Sequence, residues 1–273
     1  MPLSQPIKTS VVESTDIWLG MGRAKHFHAP LSLAFRGIIR DSMIEAAVVY
    51  RERHASKTRK ALIASLNSSG FRTTAQARLG DKNDSIGLVG EIIAEHFSVS
   101  RKYEILWAKW RAGGTSKSPG IDLVARIGRN STSNLRLIES KHLHDELKGK
   151  NAVACIPLIK VKLSDGIEEF DQDRTRLNLA GILRKMSKMI RHLKAAMSNP
   201  KAIERSHDFV RSSLAQNEYS SEIVASLDSK YCTNSTLSHC VANLQLPSSI
   251  GKHTVNLIIL ACDSLEATTD EIC

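Results

Sequence analysis

The sequence predicts an α/β domain: a mixed central sheet of about four or five strands flanked by helices, with an N-terminal helical region. Three observations carry this. Short runs dense in branched and aromatic residues recur at 103–111, 121–127, 135–143 and 254–262, the composition of strands. Longer stretches at 84–97 and 173–197 repeat apolar residues at helical spacing. The first three runs are joined by short links, "GRNSTSN" between the second and third among them, which makes these three strands antiparallel neighbours.

At 273 residues the chain can form one large domain, or a core with an appended segment. Composition divides it at about residue 80, into an N-terminal, mainly helical region with a polar linker (1–80) and an α/β core with a C-terminal extension (81–273). Residues 1–30 read as irregular, punctuated by Pro2, Pro6, Gly20, Gly22 and Pro30. Stretch 31–66 reads as one or two helices, with a strand at 32–39 as an alternative, and 67–85 as a polar linker.

From residue 84 the pattern sharpens. "DSIGLVGEIIAEHF" carries Ile86, Val89, Ile93 and Phe97 at helical period, with Asp84 or Ser85 as N-cap. Gly87 and Gly90 inside it imply close packing against another element, since each costs roughly 1 kcal/mol relative to Ala. Glu91 and Glu95 share one face, and Glu95 is expected to face solvent. After the strand run 103–111, "RAGGTSKSPG" is a loop by composition. Residues 144–169 yield no clear element, because Pro157 interrupts an apolar run. Helix 173–197 sets Leu179, Leu183, Met186, Ile190, Leu193 and Met197 on one stripe, and Arg184, Lys185, Lys188, Arg191 and Lys194 on the other face. Residues 198–250 are polar and Ser-rich, and 254–262 reads as a buried strand.

The chain carries 38 Lys and Arg against 28 Asp and Glu, a net charge of +10 that suits a polyanionic partner. Its five cysteines include no C-x-x-C pair, which argues against a disulfide framework or a zinc knuckle. The N-terminus has no apolar signal core, and no apolar run approaches the ~18 residues of a membrane span. These features lead to an expectation of a cytoplasmic protein without a membrane partner.

Chemistry concentrates in "SPGIDLVARIGRNSTSNLRLIESKHLHD". On a strand, Glu139 and Lys141 point to one face, Leu135 and Leu137 lie behind them on that face, and Ser140 points to the other. If strand 121–127 runs antiparallel to 135–143, Asp122 at its start lies beside Glu139 at the far strand's end. Two carboxylates with an ammonium beside them suit a hard cation such as Mg2+, with Glu91 in reach as a further ligand. Lys141 can hold an attacking water or stabilise charge on phosphoryl oxygens. Plainer accounts stand beside this: Asp122 as a turn residue, and Glu139 with Lys141 as a solvated pair blunting an edge strand. His142 and His144 form an H-x-H without a third soft ligand, and the basic helix face can be a solvated surface, a membrane-surface or partner-docking one, or a phosphate-binding one.

This pattern resembles the PD-(D/E)xK nuclease superfamily, whose fold is restriction-endonuclease-like. The match is the Asp of "PGID", Asp122, the Glu-x-Lys of "ESK", Glu139 and Lys141, and Glu91 on the helix before the sheet, over roughly residues 84–197. The stretch "GGTSKSPGIDLVARI…LRLIESKHL" is also similar to the nuclease subunit of Hachiman-type anti-phage systems, which works beside a helicase, and is compatible with a stand-alone restriction endonuclease. The resemblance implies a Mg2+-dependent endonuclease acting on DNA, with Mn2+ able to substitute. It implies metal ligation by Asp122, Glu139 and Glu91, catalytic work by Lys141, and DNA contacts from Arg184, Lys185, Lys188 and Arg191. A helicase or other defence subunit, or a second copy in a homodimer, would be the partner. The alternative is a non-catalytic nucleic-acid-binding or regulatory subunit.

Overall fold

A computed structural model describes residues 12–19, 22–30, 36–43, 82–110, 120–128, 134–170, 172–193, 200–216, 218–233, 236, 239–240, 244 and 255–273. The helices expected at 44–66, the linker 67–81, the loop 111–119 and the last residues of the expected helix at 194–197 lie outside them.

Five strands, β3 (Glu104–Ala108), β4 (Leu123–Ile127), β5 (Asn134–Leu143), β6 (Tyr219–Asp228) and β7 (Val255–Asp263), form a mixed sheet. A hairpin of β1 (Val12–Leu19) and β2 (Gly22–Pro30) extends it to seven strands in the order β1-β2-β7-β6-β5-β4-β3. Residues 12–19 and 22–30 are therefore not irregular as expected: β2 pairs parallel with β7, Ala24 opposite Leu257, so these strands belong to the same sheet as the core. Their pattern is broken by charged residues, and pairing to a distant strand supplies what local composition does not. Strands β3, β4 and β5 are antiparallel neighbours, whereas β5, β6 and β7 run parallel.

The helices are α1 (Lys82–Ser100), α2 (Ala152–Glu168), α3 (Gln172–Leu193), α4 (Pro200–Ala215) and α5 (Leu265–Ile272). Helix α1 is described from Lys82, so Asp84 and Ser85 lie inside it rather than at an N-cap. Helix α2 occupies the stretch that Pro157 made unreadable. Asn151 caps it, its side-chain oxygen accepting from Ala154 N at 2.9 Å, and Pro157 is tolerated on the exposed side of the helix. Helix α3 is described as far as Leu193. Helix α4 and strand β6 fill the Ser-rich region, in which helix and strand patterns were hard to separate.

Side-chain alternation sorts the core into two layers. Leu135, Leu137, Ile223, Ala225, Leu257 and Ile259 pack with Ile159 and Leu163 of α2 and with Leu179, Ile182 and Met186 of α3. Ile138, Val224, Ile258 and Leu260 pack with Val89, Ile92 and Ile93 of α1 and with Ile39 and Met43 of the helical segment 36–43. The sheet is thus sandwiched between helices, and α1 is buried almost all round.

Gly90 shows how closely α1 lies on β5. A Cβ there would stand 2.5 Å from His142 Cβ, which belongs to a strand and cannot swing away. Gly90→Ala should gain helix propensity yet lose about 1–3 kcal/mol overall, because overpacking outweighs the ~1 kcal/mol propensity gain. A lower midpoint in thermal or urea unfolding checks this; a stabilised variant would mean the helix can lift.

Candidate active site

The antiparallel register of β4 and β5 sets Leu123 opposite Ile138, which brings Asp122 alongside Glu139 as the spacing predicts. Asp122 occupies the bend just before β4, and its backbone N donates to Ile138 O at 3.1 Å. Gly120, two residues earlier, has φ +124°, a left-handed value that a side chain would strain, so the chain enters the bend through a glycine.

Asp122 is not a solvated turn residue: it is only 3% exposed. Its Oδ2 accepts from Ser140 N and from Ser140 Oγ, both at 2.8 Å, and its Oδ1 accepts from Lys109 Nζ at 2.9 Å. Nor are Glu139 and Lys141 a solvated pair at a sheet edge. Strand β5 lies between β4 and β6, Glu139 is 6% exposed, and Lys141 Nζ donates to Glu139 Oε1 at 2.8 Å. The two side chains share a face as expected, and the Lys141 stem runs against Gly166 of α2, where a Cβ would stand 3.3 Å from Lys141 Cε.

Glu91, also buried, approaches from α1. Its Oε1 lies 3.6 Å from Lys109 Nζ, so one ammonium serves Asp122 and Glu91 together. Lys109 escaped sequence reasoning: one lysine at the end of an aromatic strand run reads as a solvated strand end. The unusual feature, a buried lysine, follows only from the strand pairing, in which Lys109 N donates to Asp122 O at 2.8 Å.

The electrostatics follow from burial. Glu139 is pushed up to about 8, mainly by loss of water and then by the Asp122 charge, against the pull of Lys141. Glu91 is raised well above the usual carboxylate range by burial and then by Asp122, with Lys109 opposing. Lys109 is raised despite its burial, because Asp122 and then Glu91 favour its charge. The two directions are compatible: Lys109 keeps its proton for the nearer Asp122, and at 3.6 Å its help to Glu91 does not offset desolvation. Lys141 is likewise held above its ordinary value, Glu139 outweighing burial.

Glu91 Oε2 and Glu139 Oε2 are buried without a hydrogen-bond partner. Orphaned buried carboxylate oxygens are costly, and they are the donor type that a hard divalent ion takes. The residues therefore fit Mg2+ in chemistry, although among the described residues no group of three His, Cys, Asp or Glu is arranged as a metal cage. Two lysines stand among the carboxylates instead.

Other expected residues fall elsewhere. Glu95 is buried rather than solvent-facing and accepts from Trp110 Nε1 at 2.7 Å. His142 lies within hydrogen-bond reach of Ser226 Oγ at 2.8 Å and Thr269 Oγ1 at 3.1 Å, and burial holds its pKa down to about 3. His144 Nδ1 lies 2.7 Å from Asp145 Oδ1 and its Nε2 3.4 Å from Glu266 O, so this H-x-H ties β5 to β6 and α5. The cysteines are free thiols, four buried and Cys232 half-buried. On α3, Arg184 is exposed and Lys185 places Nζ 5.9 Å from the Trp107 ring centroid; the side chains of Lys188 and Arg191 lie outside the described residues.

No helix among the described residues is long and apolar enough to cross a membrane. Comparison of the chain with protein-family models, with curated proteins and with solved structures gave no match. What is established is therefore the architecture, an α/β fold in which a mixed sheet flanked by helices carries three buried carboxylates, the buried Lys109 and the half-buried Lys141.

Proposed function

We propose that this chain is a Mg2+-dependent endonuclease of the PD-(D/E)xK type that hydrolyses phosphodiester bonds in DNA. The observation that carries the reading is the apposition of Asp122 and Glu139 across two paired strands, with Lys141 on Glu139 and a buried Glu139 oxygen, Oε2, without a hydrogen-bond partner. Groups with perturbed ionisation gathered at one place are the electrostatic mark of a reactive site. Asp122 and Glu139 would hold the metal. When bound, Mg2+ supplies charge neutralisation at a phosphate oxygen and acidifies a water.

The remaining work belongs to side chains. Ser140 fixes the Asp122 carboxylate with two hydrogen bonds, so one rotamer is prepared in advance. Lys141, kept charged by Glu139, holds a cation next to the carboxylates, where it stabilises negative charge growing on a phosphoryl oxygen. Arg184 and Lys185 on α3 offer sequence-independent phosphate contacts. Anti-phage defence or restriction, beside a helicase, is the setting we propose for this activity.

The test is cleavage of supercoiled plasmid. Cleavage should require Mg2+ or Mn2+, stop with EDTA, and be poorly supported by Ca2+, whose looser coordination orders a water less well. Full cleavage in EDTA would end the metal-dependent reading. DNA binding with no cleavage in any metal, alone or with a helicase, would make the chain a binding subunit instead.

A further inference from the structure

We infer that Lys109 is an internal cation that fills the Glu91–Asp122 side of the cluster and limits the chain to one divalent ion, held on the Asp122–Glu139 side. The inference rests on the metal-dependent reading and deepens it by assigning a number of ions and separating Glu91 from the ligands.

Position comes first. Lys109 follows β3 directly, and its backbone continues the β3–β4 pairing through the 2.8 Å bond to Asp122 O. Main-chain pairing therefore delivers the lysine to Asp122, and the ammonium does not depend on a flexible loop. Its side chain is 7% exposed, with Nζ 2.9 Å from Asp122 Oδ1 and 3.6 Å from Glu91 Oε1. A buried ammonium is retained only where opposing charges repay its desolvation, and here both do.

The oxygen inventory then separates the two sides. Asp122 Oδ1 faces Lys109, and Oδ2 accepts from Ser140. Glu139 Oε1 is taken by Lys141, and Glu139 Oε2 is buried and without a hydrogen-bond partner. Glu91 has a similarly orphaned Oε2, but its Oε1 is engaged by Lys109. A cation joining Glu91 to Asp122 would have to share that ground with an ammonium already there. A cation joining Asp122 to Glu139 would meet a like orphaned oxygen, Glu139 Oε2, but no ammonium bridging the two carboxylates, because Lys141 hydrogen-bonds Glu139 and not Asp122.

Charge points the same way. With all groups ionised, Glu91, Asp122 and Glu139 contribute three negative charges, and Lys109 and Lys141 two positive ones, leaving one negative. One divalent ion reverses that sign, and a second would meet strong repulsion. Replacing Lys109 by a neutral residue leaves two negative charges, so one ion brings the cluster to neutrality and a second, on the vacated side, meets a neutral cluster rather than a positive one.

The experiment counts Mn2+ bound per chain by calorimetry, and independently by the electron paramagnetic resonance of free Mn2+. Wild type should take one ion. Lys109→Met should take two and hold the first about tenfold tighter or more, because a like charge roughly 4 Å away acts strongly in a partly buried site. Should Lys109→Met unfold for want of a partner to Glu91, the double variant Glu91→Gln/Lys109→Met removes the pair together, the milder change for a buried ion pair. It restores the wild-type balance of one negative charge and should bind a single Mn2+ with affinity within about tenfold of wild type, the span of one ordinary outer-sphere change. One ion at unchanged affinity in Lys109→Met overturns the inference, as does loss of Mn2+ from the double variant, which would make Glu91 a ligand. No Mn2+ bound by the wild type would instead remove the metal-dependent reading itself, so the two failures are distinguishable.

Discussion

Lys141→Met should lower DNA cleavage by about 10²–10³-fold, the scale on which a single charge-stabilising group acts at a reacting centre. Methionine keeps a straight stem against Gly166, so packing on α2 survives while the charge is lost. Because Lys141 is no ligand, the variant should still bind Mn2+, and more tightly than wild type, since a neighbouring positive charge is gone. Asp122→Asn should abolish cleavage by another route. It weakens Mn2+ binding, and it turns one carboxylate oxygen into a donor facing Lys109 or Ser140, where only acceptors fit. Single-turnover cleavage with parallel Mn2+ titrations separates the two. A Lys141→Met protein cutting at the wild-type rate would leave Glu-Ser-Lys a structural ion pair and sink the nuclease reading.

Removing the Glu139 charge should have the second large effect, seen in stability against pH in EDTA. In the folded, metal-free protein this carboxyl titrates at about 8, because burial and then Asp122 disfavour its charge, whereas an unfolded glutamate titrates near 4.5. Between those values the folded state holds a proton that the unfolded chain has released. Stability therefore falls as pH rises through that window, and the loss is complete above about pH 8. Glu139→Gln cannot lose a proton and escapes the decline. It also strips Lys141 of its partner, a cost present throughout, so the informative quantity is how the difference from wild type changes with pH. The variant's melting temperature should gain on wild type by several degrees between pH 5 and pH 8.5, at about 2–4 °C per kcal/mol for a chain of this size. Mn2+ should stabilise wild type at pH 8.5 and Glu139→Gln much less. Parallel melting profiles for the two proteins would refute the assigned ionisation.

The burial of these charges changes how the variants are to be designed. Read from sequence, Glu139 and Lys141 are strand-end charges that truncation to alanine would scarcely disturb. In the folded protein Glu139 is buried and Lys141 half-buried, so removing Lys141 leaves a desolvated carboxylate without its partner. Isosteric changes are for that reason the informative ones, with unfolding curves recorded alongside every activity.

Much of the architecture was legible from local pattern. Strands β3, β4, β5 and β7 and helices α1 and α3 each carry a periodicity strong enough to show in a short window, and the brief β4–β5 turn made their pairing antiparallel. From that pairing alone the apposition of Asp122 with Glu139, and the common face of Glu139 and Lys141, could be derived. Helix α2 hid behind Pro157, because a cap at Asn151 and an exposed location make a mid-helix proline tolerable, and neither is visible in the run itself. Strand β6 was lost among serines, though Ser221 and Ser226 are buried within it.

The sequence by itself determined the alternation of side chains along each strand, the helical stripes, the excess of basic charge, and the meeting of two carboxylates and a lysine at one strand junction. Tertiary structure alone decided which charges lose their water. It brought Lys109 between Asp122 and Glu91, turned Glu95 inward to Trp110, and attached the β1–β2 hairpin to β7. The physical reason is range: periodicity is set by backbone geometry over a few residues, whereas burial and ion pairing depend on surfaces contributed by segments far apart in the chain.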